Sequence, residues 1–239
     1  MQPELVRTDD GSLTMRHPGV DEEYHSSSGA AMEARCLYIE GSGLARALAG
    51  GEPVGVLDVG LGLGYNALAT MECWRQSGTG DLELVSLERD RELVATLLRG
   101  RAPWMAGWSR ERSGLLAEAA ASARSADDGI HMTLFCFGRR LRWRVLTGEA
   151  RAGLEELRRC KNMFQFIWQD PFSPAKNPGL WSLPWFQELK ALAAPGAVLM
   201  TYSVAAAVRE NLGAAGWRVE KFPAAGRKKH WLRASLTTH

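Results

Sequence analysis

The stretch VGVLDVGLGLGYNALATMECW, residues 54–74, limits the fold more than any other part of the chain. It opens on a fully apolar run broken only by Asp58. Such a run reads as a strand buried on both faces. Glycines at 60, 62 and 64 follow, and then an amphipathic helix begins. A buried strand that turns directly into a helix through glycines is the first half of a parallel crossover unit.

The rest of the chain repeats that alternation. LELVSLE, FQFIWQD and AVLMTYS read as further strands, and MTLFCF and LRWRVL as two strands around a basic turn. RDRELVATLLRG, EARAGLEELRR and VAAAVRENLGAAG read as helices, as does WSLPWFQELKALAAPG, which Pro195-Gly196 is expected to stop. WRVEKF and KHWLRASL close the chain as two strands with no helix between them, so the last is expected to be antiparallel. This is α/β architecture: a mostly parallel, seven-stranded sheet with helices on both faces, in the layout of Rossmann-like class I methyltransferases. Residues 1–45 lack sustained periodicity and read as an N-terminal arm or lid. It holds a hairpin or loop at DGSLTMRHPG, a short helix at AAMEARCLYIEGSGL and a polar stretch from Tyr24 to Gly29. Residues 46–239 form the Rossmann-like domain, with a helical insertion at 101–130.

Composition narrows the class. With 46% hydrophobic and 23% charged residues the chain reads as soluble and globular, and no apolar run has the length of a membrane span. The polar, acidic N-terminus does not read as a signal peptide. Cys36, Cys73, Cys136 and Cys160 form no C-x-x-C pair, which suits reduced thiols in a cytoplasm. They and five scattered histidines offer no metal-ligand spacing. Nine tryptophans read first as core and rim packing, and a net charge of +2 neither requires nor excludes nucleic acid.

The chemistry is expected at the carboxyl ends of the strands, where open α/β sheets bind ligands. Gly60, Gly62 and Gly64 permit a tight turn and close approach of a ligand. Glu88 ends the second strand, placed to accept hydrogen bonds from two ribose hydroxyls. Tyr65 stands where a dinucleotide fingerprint carries its third glycine, so the turn fits a ligand without pyrophosphate. Asp58 and Asn66 flank the turn and are candidates to orient the ligand's amino-acid end; Asp58 is equally readable as a structural acid. Glu149 is a candidate for the adenine amino group or, alternatively, an acid favoured by the helix dipole. Asp170 ends its strand on the same edge, before Pro171 and Phe172. An attacking amine needs acceptors for its hydrogens, and a carboxylate supplies them. Pro171 stops the ladder, and Phe172 can pack against a flat substrate.

Together VLDVGLGLGYNAL, SLE, QDPFSPAKNPGLW, TYSVAAAVRENLGAAGWRVEK and GRKK resemble the MnmC-like family, as does the arm's YHSSSGAAMEARCLYIEGSGL. The resemblance spans most of the chain outside 101–130. It implies S-adenosylmethionine as methyl donor, the aminomethyl group of a modified tRNA wobble uridine as acceptor, and Asp170 in the reaction centre. Transfer of that kind is an in-line displacement at a sulfonium methyl, so no metal is expected. The FAD-dependent domain fused in some members is expected to be missing, so separate FAD-dependent or aminomethyl-forming enzymes would act upstream. The chain departs from the family at Pro171, where glycine or alanine is commoner, at Glu149 in place of aspartate, and in GRKKHW. Lys176 within the family segment, and Arg227, Lys228 and Lys229 beside Trp231, are candidate substrate contacts, since cations beside aromatics suit RNA. Arg139, Arg140, Arg142 and Arg144 form a second basic cluster, readable also as a solvated edge. Two other readings remain: an N-methyltransferase for a small-molecule or protein amine, and a non-catalytic adenosyl-ligand or RNA-binding protein.

Overall fold

A computed structural model describes residues 4–77, 79–225 and 229–237. The chain begins with an antiparallel three-stranded sheet: β1 (Glu4–Arg7), β2 (Leu13–His17) and β3 (Glu22–Glu23). Helix α1 (Ala30–Glu33) continues into a π-helical stretch, Ala34–Glu40, and α2 (Leu44–Ala49) follows. Then come β4 (Val54–Val59), α3 (Tyr65–Ser77), β5 (Leu82–Glu88), α4 (Arg91–Leu98) and α5 (Arg110–Ala121). Strands β6 (Arg124–Ala126), β7 (Gly129–Cys136) and β8 (Arg139–Thr147) lead to α6 (Ala150–Arg159) and β9 (Phe164–Gln169). The chain ends with α7 (Leu183–Ala191), β10 (Ala193–Thr201), α8 (Ala206–Ala214), β11 (Arg218–Pro223) and β12 (His230–Ser235).

Among the described residues the main sheet has nine strands rather than seven, in the order β11-β12-β10-β9-β4-β5-β8-β7-β6. Its centre, β10-β9-β4-β5-β8, is parallel throughout. The expected closing antiparallel strand is present as β12. The extra length lies at the other edge. There the last residues of the 101–130 insertion pair as β6 against β7, so the insertion is helix plus edge strand. The expected stop at Pro195-Gly196 is also corrected. Helix α7 ends at Ala191, and both residues lie inside β10, where the register with β9 shifts between Ala193 and Val198. Proline lacks the donor a ladder needs, and a strand irregularity is where that lack is tolerated.

Alternation along the central strands sends side chains to two cores. Val56, Leu84, Trp143, Phe166 and Trp168 face α3, α5 and the N-terminal helices. Leu57, Val59, Val85, Leu87 and Ile167 face α6, α7 and α8. Six of the tryptophans are among the largest fully buried side chains. Several hold backbone as well as filling volume. In the insertion, Trp104 donates to the Leu63 carbonyl at 3.0 Å, inside the glycine turn. Tyr65 donates to Leu13 of β2 at 2.8 Å, and its ring meets Trp108 edge-on at 5.7 Å. Arm and insertion therefore brace the glycine turn from both sides. Among the described residues no helix is long and apolar enough to cross a membrane.

Candidate active site

A cleft of about 1160 Å³ opens over the carboxyl ends of β4, β5, β8 and β9. It brings together Gly60, Gly62, Glu88, Glu149, Asp170, Phe172 and Lys176. Asp58, Gly64 and Asn66 do not line it but stand behind the wall. Lys229 lies exposed just before β12, and Arg227 and Lys228 lie outside the described residues.

The turn's geometry explains its glycines. Gly60 has φ +92°, and a Cβ there would come within 2.9 Å of the Asp170 carbonyl. Gly62 has φ +52°, and its Cβ would press on the Tyr24 ring at 3.2 Å. The turn is thus shaped by contact with the β9 end and with the arm. Glu88 ties it down: Oε2 accepts from the Gly62 amide at 2.8 Å, and Oε1 from Asp90 at 2.9 Å. Burial raises the Glu88 pKa, and those backbone hydrogen bonds oppose it. Glu88 lines the cleft, and a carboxylate is acceptor-only, so the residue suits a ribose diol.

Asp58 is wholly buried on β4. Ser86 donates to its Oδ2 at 2.9 Å, and Trp143 Nε1 donates to the Ser86 hydroxyl at 3.0 Å. Its Oδ1 has no hydrogen-bond partner among the described residues. Burial pushes its pKa well above the ordinary range; Ser86 offsets part of this, and the Asp170 and Glu88 charges add to it. Glu149 precedes α6 and pairs with Arg89 at 3.0 Å, with both side chains largely exposed at the rim.

The segment after β9 is held by its own side chains. Gln169 donates to Leu180 at 2.6 Å and accepts from Trp185 at 3.1 Å. Trp181 donates to the Phe172 carbonyl at 2.8 Å, and Tyr202 to the Pro171 carbonyl at 3.0 Å. Ser173 donates twice to Glu22 of β3, from its amide at 3.0 Å and its hydroxyl at 2.6 Å. Phe172 packs on Tyr24 and His17, with ring centroids 5.0 and 5.4 Å away. The arm is thus one wall of the cleft. Asp170 receives Asn66 Nδ2 on Oδ2 at 2.7 Å. Burial raises the pKa of Tyr38 and Tyr202 alike, and the Asp170 charge raises both further, with Glu33 contributing to each.

Sequence reasoning passed over Glu33, Tyr202, Glu22 and Tyr38. Glu33 is only 7% exposed yet lines the cleft. A glutamate among the alanines and apolar residues of AAMEARCLYI was the available signal. For Tyr202 and Glu22 nothing local marks the role. The arginine cluster does not reach the cleft. β8 runs parallel to β5, so its start lies on the opposite edge of the sheet. Arg139 bonds the Trp74 carbonyl, and Arg140, Arg142 and Arg144 pair with Asp81, Glu83 and Asp128.

The parallel sheet, the glycine turn, and an acid at the end of each of β5 and β9 define the class I methyltransferase architecture. A family model described as S-adenosyl-L-methionine-dependent methyltransferase matches residues 125–237. The bifunctional protein MnmC of tRNA 5-methylaminomethyl-2-thiouridine biosynthesis from Ralstonia nicotianae is 34% identical over 92% of this chain and 32% of its own length. Its counterpart from Azoarcus sp. is 38% identical over 88% of this chain and 32% of its own. The crystal structure of MnmC2 from Aquifex aeolicus aligns with all of this chain and 72% of that one, at TM-score 0.79 and 27% identity. The O-methyltransferase TomG from Streptomyces achromogenes shares the fold at TM-score 0.50 and 16% identity, covering 87% of this chain and 88% of its own. Family model, relatives and solved structure together support an MnmC-like methyltransferase domain. The chain spans about a third of the length of the curated relatives it matches.

Proposed function

We propose that this chain binds S-adenosylmethionine in the cleft and transfers its methyl group to an amine, the aminomethyl group on a modified wobble uridine of tRNA. The observation that carries the reading is the meeting of the glycine turn and Glu88 with Asp170 in one cleft. Gly60, Gly62, Gly64 and Asp58 shape the donor side, Glu88 takes the ribose and Glu149 the adenine edge. When bound, the donor supplies an electrophilic methyl on a sulfonium. Asp170 accepts an N–H of the acceptor amine and aims the nitrogen lone pair along the line of displacement. The N–C bond forms as the C–S bond breaks, and the surplus proton leaves to solvent. No covalent enzyme intermediate is needed, so positioning does most of the work, a contribution of roughly 7–11 kcal/mol when well achieved. Phe172, backed by Tyr24 and His17, offers an aromatic wall to a pyrimidine ring.

The tRNA acceptor rests on the relatives' names and on Lys176 at the mouth of the cleft. Lys176, Arg227, Lys228 and Lys229 are assigned to phosphates. The setting is the cytoplasm, and separate enzymes form the aminomethyl group upstream. The test is incubation with labelled donor and total RNA from cells lacking this methyl step. Label in tRNA is expected. Label only in small amines or protein would replace the acceptor, and no transfer to any amine would end the enzymatic reading. Asp170→Ala is expected to keep donor affinity within a few fold and to lose most turnover, as calorimetry and single-turnover assays would show.

A further inference from the structure

We propose that Asn66 is a positioning residue for the acceptor amine, acting through Asp170, rather than a contact for the donor's amino-acid end. The inference rests on the reading of Asp170 above.

Asn66 is the second residue of α3 and is almost wholly buried. Its carboxamide nitrogen donates to Asp170 Oδ2 at 2.7 Å. An ionised carboxylate only accepts, so the bond fixes which end of the amide faces Asp170. That orientation leaves the Asn66 Oδ1 buried without a hydrogen-bond partner among the described residues. An amide that tolerates an unsatisfied oxygen in order to keep its N–H on one carboxylate is oriented by that carboxylate. A second path joins the same two residues. The Thr70 hydroxyl donates to the Asn66 carbonyl at 2.8 Å and accepts from Trp168 Nε1 at 3.1 Å. Trp168 lies on β9, two residues before Asp170. The start of α3 and the end of β9 are therefore locked together through backbone and side chain, which sets the rotation of the Asp170 carboxylate toward the cleft.

Asp170 stands in acidic company. Asp58 on β4 lies close enough to feel its charge, and Glu33 shares with it an influence on Tyr38 and Tyr202, two phenols that burial keeps neutral. Like charges favour protonation, and a donated N–H favours the ionised form. The N–H that Asn66 donates therefore favours Asp170 as an acceptor.

Three measurements test this. In carboxyl-labelled protein followed by NMR, Asn66→Ala is expected to make Asp170 hold its proton to higher pH than in wild type. Asn66→Asp, with a second carboxylate at the same place, should raise it further. Calorimetry should find donor affinity within about twofold in both variants, because the bond belongs to the acceptor side. In a double-mutant cycle, Asn66→Ala should lower kcat about tenfold or more in wild type and have no further effect in Asp170→Ala. An unchanged Asp170 titration overturns the proposal. So does a donor-affinity loss beyond tenfold with kcat preserved at saturating donor, or an Asn66 effect that persists without Asp170. If wild-type protein methylates no amine, the proposed function falls, while the titration still decides whether Asn66 governs Asp170.

Discussion

Glu88 answers two demands at once. Its carboxylate holds the Gly62 and Asp90 amides, and it is the residue assigned to the ribose. Glu88→Ala is expected to weaken donor binding by roughly 1.5–3 kcal/mol for each charged hydrogen bond lost. Glu88→Gln, which can still accept one of the two amide hydrogen bonds, should lose less. Unchanged calorimetric affinity in folded Glu88→Ala would refute the role. Asp58 makes a different statement, about pH. Its folded pKa lies well above the 3.8 of an ordinary aspartate. The native state therefore binds more protons than the unfolded chain once pH passes that value. Stability contributed by this residue is full below it and falls as pH rises. Asp58→Asn removes the titration, so its denaturant midpoint should depend less steeply on pH, as pH rises above the ordinary aspartate value, than that of the wild type. Parallel curves would show that Asp58 ionises as it does in the unfolded chain. Gly60, Gly62, Glu88 and Asp170 were legible in the sequence because each occupies the end of a strand whose apolar run is unmistakable. Gln169 was legible only as part of a motif. Its work, bridging Leu180 and Trp185, depends on how a loop folds back on a helix. Glu33 and Tyr202 reach the cleft from distant elements, and no local pattern carries that information.

Among the elements, the alternation of strands and helices was readable because the central strands are buried on both faces and the helices keep one apolar stripe. Misreadings fell where local chemistry and tertiary context disagree. Pro195-Gly196 resembles a helix stop, yet an irregular stretch of β10 accommodates both. Residues 124–126 are too short and too polar to announce a strand, and they pair only because β7 offers an open edge. The arm's short strands are similar: β3 has two residues, and its value lies in where it puts Glu22. Glu22 grips Ser173 through two hydrogen bonds, while His17 and Tyr24 close on Phe172. Glu22→Ala should therefore loosen residues 171–177 without unfolding the sheet. Hydrogen exchange in that loop is expected to quicken, with a global cost of about 1–3 kcal/mol at most and a larger fall in acceptor kcat/KM than in donor affinity. Unaltered exchange there would mean that the arm does not hold the loop.

At the scale of the whole molecule, the two edges of the sheet carry positive charge in different states. On the edge away from the cleft, Arg140 and Arg142 are committed to Asp81 and Glu83, and Arg144, farther along β8, pairs with Asp128. On the cleft's edge, Lys176 is exposed at the rim. Lys229 is there too, because β12 runs antiparallel to β10 and begins beside the end of that strand. An RNA that delivers a base to Asp170 must pass the second edge, not the first. Each phosphate contact releases counterions, so log affinity for tRNA should fall with log salt by about 0.7 to 0.9 per contact. A slope equivalent to three or more contacts is expected. Reversing Lys176, Arg227, Lys228 and Lys229 to glutamate should flatten that slope and raise the KM for tRNA while leaving donor affinity intact. Arg140→Gln with Arg142→Gln supplies the internal control: it removes one positive charge per site from the opposite edge, against two units for each reversal, and should leave the slope where it was. If both sets flatten the slope equally, the RNA surface is diffuse and the cleft edge has no special role. If neither does, the acceptor is not a nucleic acid, and the cleft serves an amine that arrives without phosphates.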